Sequence, residues 1–165
     1  MYFYTISKID KNILYKLVNI YANAMAHLNV RKWSIKDFVE LINTKSIIYY
    51  IKEDKSIMGF AIVKKIIYEA EIINISIEPA YHRNGFAKNL IKYILQSKEM
   101  NGVKRFVLEV SSENYKAKNL YENLGFKIVG YRKNYYNVKA NKYNATKSDA
   151  EIMEYKILKK STFFN

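Results

Sequence analysis

The sequence predicts an α/β domain with a mixed, mostly antiparallel central sheet, and three observations carry that prediction. Runs of β-branched and aromatic residues alternate with segments whose apolar residues recur at helical spacing. The strand-like runs "IIYYIK" (47–52), "IMGFAIVKKIIY" (57–68) and "AEIINISIEP" (70–79) are joined by turns short enough for an antiparallel meander. The strand–helix–strand succession from 70 to 110 then needs a crossover, which makes its two strands a central parallel pair. The 165 residues contain no linker, repeat or low-complexity tract, so 1–165 is read as a single domain.

Taken in order, "YFYTIS" (2–7) is the first strand. Ile13, Leu14, Leu17, Val18 and Tyr21 mark a helix that Asp10 can cap. A short second helix follows Ser34, where Ser34 and Asp37 have capping-box spacing and Trp33 anchors the entry on the core. After the meander, 85–100 forms a helix with Phe86, Leu90, Ile91, Ile94 and Leu95 on one face, ended by Asn101-Gly102. "KRFVLEV" (104–110) is a strand, 114–126 a helix closed by Gly125, and 127–139 and 150–158 are the last two strands.

Composition removes several classes of function. Without cysteine there is no disulfide framework, thiolate metal site or cysteine nucleophile. The longest apolar runs, such as "SIIYYI" (46–51), fall far short of the roughly 20 residues that span a bilayer. The start lacks the basic end and apolar stretch of a signal peptide, so the expected location is cytoplasmic, with no membrane partner. A net charge of +13 invites a nucleic-acid surface. Yet the 28 basic residues are spread along the chain with no block of five, beside abundant Ile, Asn and Tyr, which points to compositional drift instead.

The stretch "IEPAYHRNGFAKNL" (77–90) holds the only proline, Pro79, and one of five glycines, Gly85, at a strand-to-helix junction. Backbone N–H groups at a helix start have no intrahelical partner, and the macrodipole adds to their pull on anions. A loop there can wrap a phosphate if no side chain blocks the approach, and Gly85 and small Ala87 keep it open, with Arg83 and Lys88 adding charge. An ordinary turn with a glycine fits as well. The spacing matches neither a dinucleotide fingerprint nor a P-loop.

Further on, "LEVSSENYKAKNLYENLGF" (108–126) places the carboxylate of Glu109 at a strand end and the phenol of Tyr121 twelve residues later on a helix. A carboxylate can take a proton from an attacking amine and a phenol can return one to a leaving thiolate. On spacing alone, a solvated strand residue and a core tyrosine remain open.

Together these segments resemble the GNAT acetyltransferases. "EAEIINISIEPAYHRNGFAKNL", "GYRKNYYN" and "RKWSIKDF" are similar to the RimI group, which acetylates protein N-termini, and the likeness runs in order through residues 20–157. The resemblance implies the GNAT fold, with helices flanking the sheet and acetyl-CoA as co-substrate. It implies that the pyrophosphate rests on Arg83, Asn84, Gly85, Phe86, Ala87 and Lys88. It also implies a bulge at Ile75, Ser76 and Ile77, whose freed backbone groups pair with the pantetheine arm and hold the thioester carbonyl. Asn114 matches a cofactor-bonding asparagine, Glu109 the general base acting through water, and Tyr121 the acid for the CoA thiolate. Tyr135 and Tyr136 match residues that hold the start of the acceptor, with strand-face packing as the open alternative. No metal is implied, since His27 and His82 lack ligand spacing.

Four departures bear on the acceptor and loop. His82 stands where Gln or Arg is usual, Ala87 where many members have glycine, and Lys32 where a proline often precedes the tryptophan; "NVKANKYNATKSD" (137–149) is long. The expectation is an N-acetyltransferase acting on a protein N-terminus, with a ribosomal protein as one candidate acceptor. Acetylation of a small amine or lysine, and a non-catalytic acyl-CoA- or RNA-binding domain, are the alternatives.

Overall fold

A computed structural model describes residues 1–6, 8–26, 31–137 and 147–157. The elements are β1 (Tyr2–Ile6), α1 (Lys11–Ala24), α2 (Ile35–Asn43), β2 (Ser46–Glu53), β3 (Ser56–Ile66), β4 (Glu69–Ile77), α3 (Phe86–Gln96), β5 (Arg105–Ser111), α4 (Tyr115–Asn123), β6 (Lys127–Asn137) and β7 (Lys147–Lys156). Their order is the expected one. The sheet runs β1-β2-β3-β4-β5-β7-β6, antiparallel throughout except for the parallel pair β4–β5.

Alternation along the strands feeds two cores. On one face Ile48, Tyr50, Phe60 and Ile62 meet Leu14, Leu17, Phe38 and Ile42 from α1 and α2. On the other, Ala61, Val63, Phe106, Leu108 and Val110 meet Leu90, Ile91 and Ile94 of α3. Each of those buried Val, Leu, Ile and Phe side chains contributes about 1.5–3 kcal/mol. Trp33 does anchor α2: its ring stacks on Tyr21 at 4.8 Å and meets Phe38 edge-on at 5.9 Å. Asp10 caps α1 by accepting from the N–H groups of Asn12 and Ile13. The Asp37 carboxylate accepts from Ser34 N–H at 2.6 Å and is clamped by Arg31 at 2.7 Å, which holds it well below the usual carboxylate range.

Several boundaries differ from the sequence reading. The helix expected over 85–100 stops at Gln96, because Ser97 leaves helical geometry and turns its buried hydroxyl to the Ile94 carbonyl and the Tyr49 hydroxyl. Asn101-Gly102 therefore follows a separate turn at Lys98–Met100. Strand β4 ends at Ile77, and Pro79 opens a 3₁₀ turn to Tyr81. Strand β7 begins at Lys147, three residues early, where Lys147 and Ser148 pair with Asn137 and Tyr136. His27 and positions 138–146 of the long segment lie outside the described residues, as do the expected strand ends at 138, 139 and 158.

Candidate functional site

The sheet is not closed at its centre. Strands β4 and β5 are hydrogen-bonded only between Glu69–Ile72 and Arg105–Leu108. Beyond that, β4 continues to Ile77 against β3 alone, and β5 continues to Ser111 against β7 alone. The facing edges of 73–77 and 109–111 thus bear backbone groups with no strand partner among the described residues. The register places the extra residue of β4 at Ile73, since Ile62 pairs with Asn74 and Val63 with Ile72. The bulge expected at Ile75, Ser76 and Ile77 therefore falls two residues earlier, where an extra residue bends β4 away from β5 as their pairing ends. Ile75, Ser76 and Ile77 themselves pair regularly with Ala61, Phe60 and Gly59. Ser76 is buried and its hydroxyl donates to Asn74 Oδ1 at 2.8 Å, so this position offers only backbone to the cleft.

The cleft opens onto the loop before α3. There His82 Nε2–H donates to the Ile77 carbonyl at 2.9 Å, tying the loop to the strand end. Arg83 and Gly85 both adopt left-handed backbone, φ +63° and φ +77°. A Cβ on Gly85 would meet nothing within 4 Å, so its backbone conformation, not crowding within the protein, is what calls for glycine. The N–H groups of Arg83, Asn84, Gly85, Phe86, Ala87 and Lys88 find no acceptor among the described residues. Six free donors at the positive end of an eleven-residue helix, with Arg83 and Lys88 exposed beside them, form a cradle for an anion. After β5, Asn114 caps α4 through Oδ1, which accepts from Ala117 N–H at 3.2 Å; its amide N–H₂ has no partner among the described residues.

Because α1 and α2 pack over the β2–β4 side of the sheet, the β5–β7–β6 part of that face is open. A groove of about 270 Å³ lies there, walled by Glu69, Glu71, Arg105, Val107, Glu109 and Arg132. Glu109 is mostly buried and its Oε1 sits 3.1 Å from Arg132 Nη2. Arg132 also lies over the Tyr135 ring, 5.5 Å from its centroid, and the Tyr135 and Tyr136 rings meet at right angles, 5.1 Å apart. An irregularity in β6 aims these residues. Arg132 pairs with Ala150 and Tyr136 with Ser148, while Asn134 takes φ +55° and gives its N–H to Asp149 Oδ1 at 2.8 Å.

The two neighbouring tyrosines differ. Tyr135 is exposed, whereas burial and the nearby Glu109 charge push the Tyr136 phenol up to about 12. Burial, then Tyr136, pushes Tyr121 up to about 12 as well. Glu109 acts on Tyr136 and Tyr136 on Tyr121, so the three lie close enough to feel one another's charge. The structure thus brings together Glu109, Tyr136 and Tyr121, with Tyr135 exposed beside Tyr136 and Asn114 capping the helix that carries Tyr121. Arg132 is the residue sequence reasoning left unassigned. It stands inside "GYRKNYYN", but nothing in spacing reveals that β7 lies between β5 and β6 and lets it reach Glu109.

Residues 14–126 match the Acetyltransferase (GNAT) family. The [ribosomal protein bS18]-alanine N-acetyltransferase of Escherichia coli K12 is 33% identical over 104 residues, covering 63% of this chain and 70% of that protein. The crystal structure of the ribosomal-protein-S18-alanine N-acetyltransferase from Escherichia coli superposes with a TM-score of 0.78 at 25% identity, covering 99% of this chain and all of the other. A GNAT family acetyltransferase from Elizabethkingia anophelis, solved with acetyl-CoA bound, shares the fold with a TM-score of 0.72 at 16% identity, over 94% of this chain and 97% of its own.

Proposed function

The chain belongs to the GNAT acetyltransferase family and is an acetyl-CoA-dependent N-acetyltransferase, and from that premise we propose that its acceptor is the α-amine of a protein N-terminus. The observation that carries this is the open groove walled by Glu109 and Arg132, with the Tyr135 ring under the Arg132 guanidinium. A small amine would need a closed pocket, whereas an open strip of sheet suits an extended peptide.

The assignments follow the geometry. The free N–H groups of Arg83 to Lys88 hold the pyrophosphate, and the unpaired edge of β4 beyond Ile72 holds the pantetheine arm and polarises the thioester carbonyl. Asn114 offers its amide N–H₂ to the same molecule. Glu109 removes the proton of the attacking amine through a water. At about 12, the Tyr121 phenol holds its proton more firmly than a thiol of about 8.5. Its main contribution is therefore a hydrogen bond to the departing sulfur. Tyr136, between Glu109 and Tyr121, borders the reacting atoms, while Tyr135 faces the acceptor chain at the rim.

Acceptor choice also fits the modest base. An α-amine of pKa about 8 is roughly 20% neutral at about pH 7.4, against roughly 0.1% for a lysine of about 10.4. That factor of about 200 corresponds to about 3 kcal/mol of deprotonation that an α-amine target avoids. The test is CoA release from acetyl-CoA with short peptides whose α-amine is free or blocked, alongside polyamines. Turnover confined to free α-amines is the expected result; turnover that survives blocking, or that favours polyamines, would overturn the reading.

A further inference from the structure

The general base assigned above is already paired with a cation. Arg132 Nη2 lies 3.1 Å from Glu109 Oε1, and Arg132 is half exposed while Glu109 is mostly buried, so the cation is the mobile member of the pair. The sheet explains how it reaches. Glu109 pairs with Ile152 of β7, and Ile152 pairs with Gly130 of β6, two residues before Arg132. Gly130 adds no side chain of its own beside Ile152, and the long Arg132 side chain bridges two strand spacings, about 10 Å. The other arginine of the groove, Arg105, is held by Glu69 at 2.8 Å and Glu154 at 3.0 Å. In that same position the Arg132 guanidinium also lies over the exposed ring of Tyr135, 5.5 Å from its centroid.

Building on the reading of Glu109 as base, we propose that Arg132 is a gating residue. Its guanidinium occupies Glu109 until the ammonium of an acceptor takes its place, while the Tyr135 ring it already lies over keeps it beside the groove. The exchange replaces one cation by another, so the charge around Glu109 is unchanged and no bare carboxylate is exposed. A neutral, blocked terminus has nothing to offer Glu109 and leaves the gate shut. Arg132 thereby sets a specificity for cationic amines that is separate from the chemistry itself.

The experiment compares acceptor KM and kcat for wild type, Arg132→Gln, Arg132→Lys, Glu109→Gln and the Glu109→Gln/Arg132→Gln double variant, using whichever amine the enzyme turns over. Removing a competing exposed ion pair is expected to lower acceptor KM about three- to fivefold in Arg132→Gln. Acetyl-CoA KM stays the same, Arg132→Lys stays near wild type, and in the Glu109→Gln background the Arg132 substitution leaves acceptor KM unmoved. An unchanged or raised acceptor KM in Arg132→Gln, or a fall that persists without Glu109, would overturn the gate. A purely structural role for Arg132 in the β6 irregularity would give the last pattern. Because the acceptor is whichever amine is used, failure of the N-terminal reading shows separately, in the blocked-peptide assay.

Discussion

Glu109 and Tyr121 are assigned to different tasks, and their variants should separate along those lines. Glu109→Gln removes the proton acceptor and should lower kcat about 100-fold with acetyl-CoA KM unchanged. Tyr121→Phe should lower kcat by a similar factor. Its pH profile between 6 and 10 should keep the wild-type shape, since a phenol raised to about 12 stays protonated throughout that range. A wild-type alkaline limb that disappears in Tyr121→Phe would contradict this. Gly85 calls for a third substitution. At φ +77° an alanine is strained by about 1–2 kcal/mol, so Gly85→Ala should weaken acetyl-CoA binding about tenfold or more as the loop escapes that conformation. Isothermal titration with CoA measures it, and unchanged affinity would remove Gly85 from the cradle. The sequence pointed to these residues because each is an unusual type at a predicted junction. It could not point to Arg132, whose contact with Glu109 depends on strand order across β7.

At the level of elements, α4 carries both Asn114 and Tyr121, and what fixes it is a buried ion pair. Lys118 Nζ lies 2.6 Å from Glu151 Oε1 of β7, with both side chains largely hidden. Removing the lysine leaves a buried carboxylate uncompensated, so Lys118→Met should lower Tm clearly, whereas Lys116→Met on the exposed side of the same helix should not. Glu151 raises the Lys118 pKa above its ordinary 10.5. The stabilisation is therefore fully present below about pH 10.5 and fades as pH rises through the higher folded value. The Tm gap between wild type and Lys118→Met, followed by calorimetry, should hold from about pH 7 to about pH 10 and narrow only above about pH 10.5. A gap that instead closes on acidification from pH 9 to 7 would contradict the pairing.

Elements were also what the sequence described best. Periodicity and caps located each α-helix and strand among the described residues, because α1, α3 and the meander each bury one clear face. The misses were local. Ser97 ends α3 through its own hydroxyl, the β4 bulge sits at Ile73, and β7 starts early by pairing with the far end of β6. All three depend on hydrogen bonds to residues distant in the chain or to a competing side chain, which apolar periodicity does not register.

For the whole molecule, a sheet covered by α3 and α4 on one face and only half covered by α1 and α2 on the other gives the enzyme two entrances. The gap between β4 and β5 opens toward the α3 loop, where a phosphorylated co-substrate is favoured. The uncovered half of the opposite face opens at Glu109, where an acceptor can approach without crossing the first molecule. The net charge of +13 is a property of the whole surface and does not choose the acceptor; the groove itself is walled by Glu69, Glu71 and Glu109 as well as by two arginines. The central claim is that this second entrance receives an N-terminal α-amine. Its most direct test is a competition within one molecule. A peptide carrying both a free α-amine and an internal lysine is incubated with enzyme and acetyl-CoA, and fragment mass spectrometry locates the acetyl group. The account predicts acetylation at the N-terminus with the lysine left free; acetyl found chiefly on the lysine would contradict it.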